Sequence, residues 1–298
     1  MHHDEHPHEG LKADLDRIAA LERRRRALRT LAGFAAATGL PVVSGALTAA
    51  PRPGMSGPPS APSPSPSPSP APSPAPSPSP SPSGCSTIPS ETGGPYPADG
   101  TNSSNGHVVN ALALSGIVRR DIRSSFGSAS GTAAGVPLTL TLNLVNTAAV
   151  CTTLNGYAVY VWHCDQDGKY SLYTLPLQNY LRGVQVSDSL GAVSFTTIFP
   201  GCYSGRWPHI HFEVYPSLGV ASTGVNAVKT SQIALPSAAC STVYAGASGY
   251  ASSASAFKGV SLASDNVFGN DSAALQLATV TGSVADGFVA TLTVGISA

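Results

Sequence analysis

The stretch Pro208-His209-Ile210-His211-Phe212 sets two imidazoles two residues apart in a β-rich segment. On a strand, residues i and i+2 point to the same side, so both rings can address one point. Two imidazoles make half of a metal site. Alone, such a pair reads equally well as two packed histidines. Two tyrosines bear on the choice. Tyr203 follows the turn Phe199-Pro200-Gly201-Cys202, and Tyr170 sits in Asp167-Gly168-Lys169-Tyr170-Ser171, beyond an apolar run that ends at Trp162. Phenolate is a hard anionic donor, better suited to Fe(III) than to Zn(II) or Cu(I). Tyrosine also holds iron in some haem proteins. The chain has 10 tyrosines, so packing at strand ends is the competing reading of both. His107 and His163 are the other histidines of the body. His163 alternates away from Trp162 and reads as a packing residue.

The elements that must position these residues are strands. Val136 to Val145 alternates apolar and polar with period two. Ala158–Trp162, Val193–Ile198 and Ile210–Tyr215 are short runs rich in β-branched and aromatic residues. Leu275–Val280 and Gly287–Val294 flank a Gly/Asp turn and predict a closing hairpin. Helix is expected only around 237–260. The expected fold is all-β, an antiparallel β-sandwich core with long loops and little helix.

Composition divides the chain. It has 298 residues, 16 basic and 16 acidic, and only 11% are charged. That balance argues against a nucleic-acid binder held by bulk charge. Hydrophobic content of 42% is enough for a core. Residues 51–82 hold 15 of the 26 prolines, and residues 1–52 hold 8 of the 16 basic residues. Residues 1–50 carry Arg23-Arg24-Arg25-Arg26, then a weakly apolar run to small residues at Ala46 and Ala50. This reads as an export signal of twin-arginine type, with an uncleaved membrane anchor as the alternative. His2, His3, His6 and His8 precede it and read as incidental. Residues 51–84 are largely alternating Ser and Pro, a disordered extended linker. Residues 85–298 form the folded domain. Export to the outside or the cell envelope follows, with association to cell wall or membrane surface through the N-terminal segment.

Several motifs then resemble one family in order and spacing. They are Cys151 to Asp165, Gly168-Lys169-Tyr170-Ser171, Arg182-Gly183-Val184-Gln185, Gly191 to Tyr203, and Arg206-Trp207-Pro208-His209-Ile210-His211. Glu91-Thr92-Gly93-Gly94-Pro95-Tyr96 and Val118 to Arg123 extend the likeness upstream. Together they closely resemble the intradiol ring-cleavage dioxygenases, the catechol and protocatechuate 3,4-dioxygenase type, here in an exported, actinobacterial-type form. The resemblance covers about 85–215. It implies one non-haem Fe(III) held by Tyr170, Tyr203, His209 and His211, with Tyr203 and His209 axial. It implies Arg206 beside the substrate and Gln232, in Thr230-Ser231-Gln232, supporting the site. The implied reaction cleaves a catecholic ring with O2 to a cis,cis-muconate-type product. Charge closes on that scheme. Ferric iron with two phenolates and one hydroxide is neutral, and so is ferric iron with one phenolate and a catechol dianion, so no net charge is buried. One departure stands out: only five residues separate Tyr203 from His209. This loop is longer in the better-known enzymes, so an open mouth is expected. Tyr96 receives no role.

Two other readings remain. Asp188 to Tyr203 also fits a turn pattern of transthyretin-like modules that bind surfaces without catalysis. A zinc or copper hydrolase would want a further carboxylate or histidine beside the pair. The five cysteines, Cys85, Cys151, Cys164, Cys202 and Cys240, lie in the part expected to be exported, where disulfides form. Two tyrosines sharing one metal would bring Cys164 and Cys202 together, so a Cys164–Cys202 bridge is expected. Cys151–Cys240 is the next pair, with Cys85 left free.

Overall fold

The computed structural model describes residues 86–298. The export-signal segment 1–50, the linker 51–84 and Cys85 lie outside the described residues.

Eleven strands and two helices follow in order. A small hairpin comes first, β1 (Asp99–Ser104) with β2 (His107–Asn110). One main sheet contains β3 (Pro137–Asn146), β4 (Thr152–Thr153), β7 (Ala192–Ile198), β10 (Thr279–Ser283) and β11 (Gly287–Ile296). The other runs β6 (Arg182–Val186), β5 (Ala158–Trp162), β8 (His209–Tyr215), β9 (Lys229–Ala234). Strand pairings are antiparallel except one: β11 lies parallel to β3, with Leu292 opposite Leu142. The C-terminal hairpin of β10 and β11 is present, as the Gly/Asp turn predicts. The expected helical region holds α1 (Ser237–Gly246) and α2 (Ala251–Phe257). Among the described residues no helix is long and apolar enough to cross a membrane.

The sandwich follows from alternation. Leu138, Leu140, Leu142 and Leu144 of β3 point inward, while Thr139, Thr141 and Asn143 stay partly exposed. They meet Val159 and Val161 of β5 and Ile210, Phe212 and Val214 of β8 in one buried cluster. The intervening residues of β5 and β8 face the other way, yet they too are buried. Ala158, Tyr160 and Trp162 join Tyr170, Leu112, Ile117 and Leu218 in a second cluster, formed by loops folded over the outer face. The second sheet is thus buried on both sides. Its outer face carries His209, His211, Glu213 and Tyr215.

The expected disulfides are not formed. Cys164, Cys202 and Cys240 are all free and buried. The segments carrying Cys164 and Cys202 do run together, since the Gly201 amide donates to Asp165 O at 3.0 Å. The two thiols nevertheless enter different clusters, Cys164 the loop-covered one and Cys202 the inter-sheet one. Each behaves as a small apolar side chain. Cys164 Sγ points at Gly201 O and Cys240 Sγ at Leu235 O. Cys151 is disulfide-bonded, but Cys240, being free, is not its partner.

Candidate functional site

Two tight turns and one strand build the site. Asp165 organises the first turn: its Oδ1 accepts from the amides of Asp167 at 3.0 Å and Lys169 at 2.9 Å. Tyr170 leaves that turn with its amide donating to Thr174 Oγ1 at 2.8 Å. The second turn, Phe199 to Tyr203, lies against the first. A Cβ at Gly168, where φ is +80°, would come within 3.0 Å of Tyr203 Cβ. At Gly201 it would strike Asp165 O at 2.6 Å. These two glycines let the tyrosine turns close on each other. The histidines come from β8, on the face away from the inter-sheet core.

Four donor atoms converge. Tyr170 Oη lies 3.3 Å from Tyr203 Oη and 3.4 Å from both His209 Nε2 and His211 Nε2. Tyr203 Oη is 3.3 Å from His209 Nε2, and the two imidazole Nε2 atoms are 3.1 Å apart. Donors about 2.1 Å from a shared ion stand roughly 3.0–3.4 Å from one another when cis. Tyr170, His209 and His211 are almost wholly buried, and Tyr203 is half-buried.

Protonation suits ligation. His209 Nδ1 donates to Trp207 O at 2.5 Å, which leaves Nε2 a bare lone pair facing the cluster. Burial, then the charge of Arg206, lowers the His209 pKa to about 3. Burial and the neighbouring His209 push His211 down as well. Both rings are therefore neutral at pH 7, the form that binds metal. Burial raises Tyr203 to about 12 and Tyr170 well above its usual value, so a cation is needed to make either phenolate. His211 stacks on Trp162, centroids 4.9 Å apart and planes 4° from parallel. Its Nδ1 and the Trp162 Nε1 are buried without hydrogen-bond partners. Among the described residues no group of three or more His, Cys, Asp and Glu could hold a metal. The histidine pair is completed by phenols alone.

Arg206 and Gln232 stand beside this cluster. Arg206 Nη2 donates to Gln232 Oε1 at 2.6 Å, and Gln232 Nε2 donates to Thr92 O at 2.8 Å. Gln232 lies opposite His211 in the β8–β9 register. Ser204 and Gly205, between Tyr203 and Arg206, are exposed. His163 is kept from any metal role: Nδ1 meets Cys164 O and Nε2 meets Thr197 Oγ1, each at 2.7 Å.

The chain shares its fold with an intradiol ring-cleavage dioxygenase. That structure, from Tetranychus urticae, superposes with a TM-score of 0.54 at 24% identity over 71% of this chain and 94% of the other. The dioxygenase domain of a carbohydrate-binding fusion from Streptomyces sp. SirexAA-E aligns over 71% and 98%, with TM-score 0.43 and 21% identity. Catechol 1,2-dioxygenase from Pseudomonas arvilla C-1 aligns over 59% and 55%, with TM-score 0.38 and 17% identity. No protein-family model and no curated protein matches the sequence.

Three contributors to the candidate site have no role in the sequence reading. Asp265 accepts from Arg206 Nε at 3.0 Å. Arg182, 1% exposed, donates to Tyr96 O, Pro97 O, Tyr160 Oη, Ser171 O and Ser171 Oγ. It clamps the Tyr96–Pro97 segment and the residue after Tyr170 to β6. Tyr96 lies over Tyr170 with centroids 4.9 Å apart. In a body so poor in charge, a buried arginine must find neutral acceptors and a buried aspartate a cation. The sequence shows Arg182 and Asp265 as two of few charged residues, but only the folded chain shows that they are buried.

Proposed function

We propose that the protein is a non-haem Fe(III)-dependent intradiol dioxygenase that cleaves a catecholic ring with O2 to a cis,cis-muconate-type product. The convergence of Tyr170 Oη, Tyr203 Oη, His209 Nε2 and His211 Nε2 on one point carries the reading. The fold shared with a dioxygenase supports it. The two phenols and two neutral imidazoles would hold the iron. Bound Fe(III) supplies Lewis acidity that ionises phenol and catechol alike and activates the ring. The chain does the rest. Tyr170, the more deeply buried phenol, anchors. Tyr203, half-buried and beside the exposed Ser204-Gly205, is the phenol that would give way to substrate, its Oη then placed to accept one catechol proton. Arg206 offers its uncommitted N–H groups to negative charge developing on the substrate oxygens. Trp162, Tyr96 and the loops over β5 and β8 keep bulk water from the buried donors.

We further propose that residues 1–50 export this domain and that 51–84 space it from the envelope. A transthyretin-like module has no use for four converging donors. A hydrolytic zinc site has no carboxylate or thiolate beside the pair among the described residues.

The test is purification after growth with iron, followed by metal analysis, visible spectra and oxygen uptake with catechol, protocatechuate and hydroxyquinol. Expected are one iron per chain, a phenolate charge-transfer colour, and oxygen consumption with a ring-opened product. Stoichiometric zinc without iron, or an iron protein that leaves every catechol intact, would overturn the reading.

A further inference from the structure

Asp265 lies in the loop that follows α2 and is 3% exposed. All four lone-pair positions of its carboxylate are occupied. Oδ1 accepts from the amides of Val267 at 2.8 Å and Phe268 at 3.0 Å. Oδ2 accepts from Arg206 Nε at 3.0 Å and from the Trp207 amide at 2.7 Å. Burial works against the charged form. The backbone donors and Arg206 outweigh it and hold the pKa below the usual value. The carboxylate therefore stays ionised where few charges are tolerated.

We propose that Asp265 is the positioning residue for Arg206, fixing the guanidinium edge that faces the reacting centre. An arginine carries five N–H donors in a rigid plane. Asp265 takes the Nε donor from behind and Gln232 takes one on Nη2. Those two bonds fix the plane and its rotation, which leaves both Nη1 donors and one on Nη2 uncommitted. Gln232, which accepts from Arg206 Nη2, lies opposite His211 in the β8–β9 register, and Arg206 follows Tyr203 by three residues, so the guanidinium stands beside the donor cluster. Without Asp265 the side chain, 14% exposed, is free to swing toward solvent past the exposed Ser204 and Gly205. The same Oδ2 accepts from the Trp207 amide, and the carbonyl of that residue accepts from His209 Nδ1. One oxygen thereby ties the substrate-side cation to the residue that orients a metal-side imidazole. Asp265 itself touches neither donor cluster nor substrate.

This inference rests on the dioxygenase reading for its kinetic part and on geometry alone for its structural part. Two measurements on the full chain separate them. The first is a double-mutant cycle on iron-loaded protein: wild type, Asp265→Asn, Arg206→Ala and the double variant. Asn keeps Oδ1 for Val267 and Phe268 but turns a donor toward Arg206. Expected in Asp265→Asn is a kcat loss of about 10- to 100-fold, with KM changed far less and iron content retained. In the Arg206→Ala background the same change costs at least about fivefold less, because only the bond to the Trp207 amide remains to be lost. Asp265→Glu, which restores the carboxylate, recovers part of the rate. The second measurement is the crystal structure of Asp265→Asn, in which Arg206 leaves Gln232. An equal loss in both backgrounds, or an Arg206 that keeps its place beside Gln232, overturns the proposal. If wild-type protein cleaves no catechol while Arg206 still swings away in Asp265→Asn, the dioxygenase reading falls and the anchoring stands.

Discussion

At the residue scale, the two tyrosines are chemically alike but unequally placed, and that inequality is testable. Tyr170 is 1% exposed and contacts three other donor atoms. Tyr170→Phe should lose colour and iron affinity together. Tyr203→Phe should keep iron but lose most turnover, since it removes an internal base. Metal analysis and oxygen uptake on the two variants check this, and identical behaviour of both would contradict the assignment. Protons offer a second check. With His209 held near 3 and Tyr203 near 12, iron loading at pH 7 should draw protons from the phenols and none from the imidazoles. A pH-stat should record about three released per ferric ion, two from the tyrosines and one from the water that becomes the hydroxide of the neutral scheme, falling by one in Tyr203→Phe. Residue type and spacing nominated the histidine pair and left two of ten tyrosines as candidates; it was the resemblance to the dioxygenases that completed the donor set with Tyr170 and Tyr203 and singled out Arg206. Asp265 was illegible because it comes 54 residues after His211 in a loop without periodicity; only the folded chain brings its carboxylate to Arg206. The cysteine expectation failed for a related reason. Proximity of two segments says nothing about which way each Cβ points, and Cys164 and Cys202 point into different cores.

At the element scale, alternation made the strands legible, and β3, β5, β7, β8 and β11 stand close to where the apolar pattern sets them. Alternation does not encode partners or direction, so the parallel pairing of β11 with β3 could not be read. The outer face of β8 makes a prediction of its own. Glu213, two residues beyond His211 and 2% exposed, lies beside Asp99 and accepts from Tyr215 Oη at 2.6 Å. Burial, then the charge of Asp99, raises it to about 8. A carboxyl raised on folding binds its proton more tightly in the native state than in the unfolded chain. Its contribution to stability is complete below about 4.5 and is lost as pH rises through about 8. Glu213→Gln should therefore flatten the fall in melting temperature between pH 5 and 8. An unchanged slope would show that Asp99 or another group carries it. On β6, Arg182→Met would leave the carbonyls of Tyr96 and Ser171 without this donor, while Pro97 O keeps Tyr160 Oη. At roughly 1–3 kcal/mol for each acceptor left unpaired, the loss should reach about 2 kcal/mol or more in denaturant unfolding.

At the scale of the whole molecule, composition separated a charged front, a proline-rich middle and a low-charge body before any element was drawn. If the front is a twin-arginine signal, replacing Arg23, Arg24, Arg25 and Arg26 together by lysine should leave precursor in the cytoplasm. Normal export of that variant would point to another route. The body makes a complementary prediction. Burial raises Cys202 to about 12 and pushes Cys164 and Cys240 well above the usual thiol value. Peptide mapping after alkylation should find these three thiols unmodified in native protein and fully modified after unfolding. Modification at native pH would mean that the clusters around them open readily.

The two-sided burial of β8 has a bearing on how such a chain can change over time. Ile210, Phe212 and Val214 answer to the sandwich interior, and His209 and His211 to the chemistry, on opposite sides of one backbone. Mutations that refill the interior and mutations that reshape the loops over the other side can accumulate without meeting. A single inserted residue within the strand would exchange the two sets at once. Variation among relatives should therefore be rich in loop length and interior composition and empty of insertions between His209 and Val214, a pattern that sequencing many such chains can test without assaying any of them.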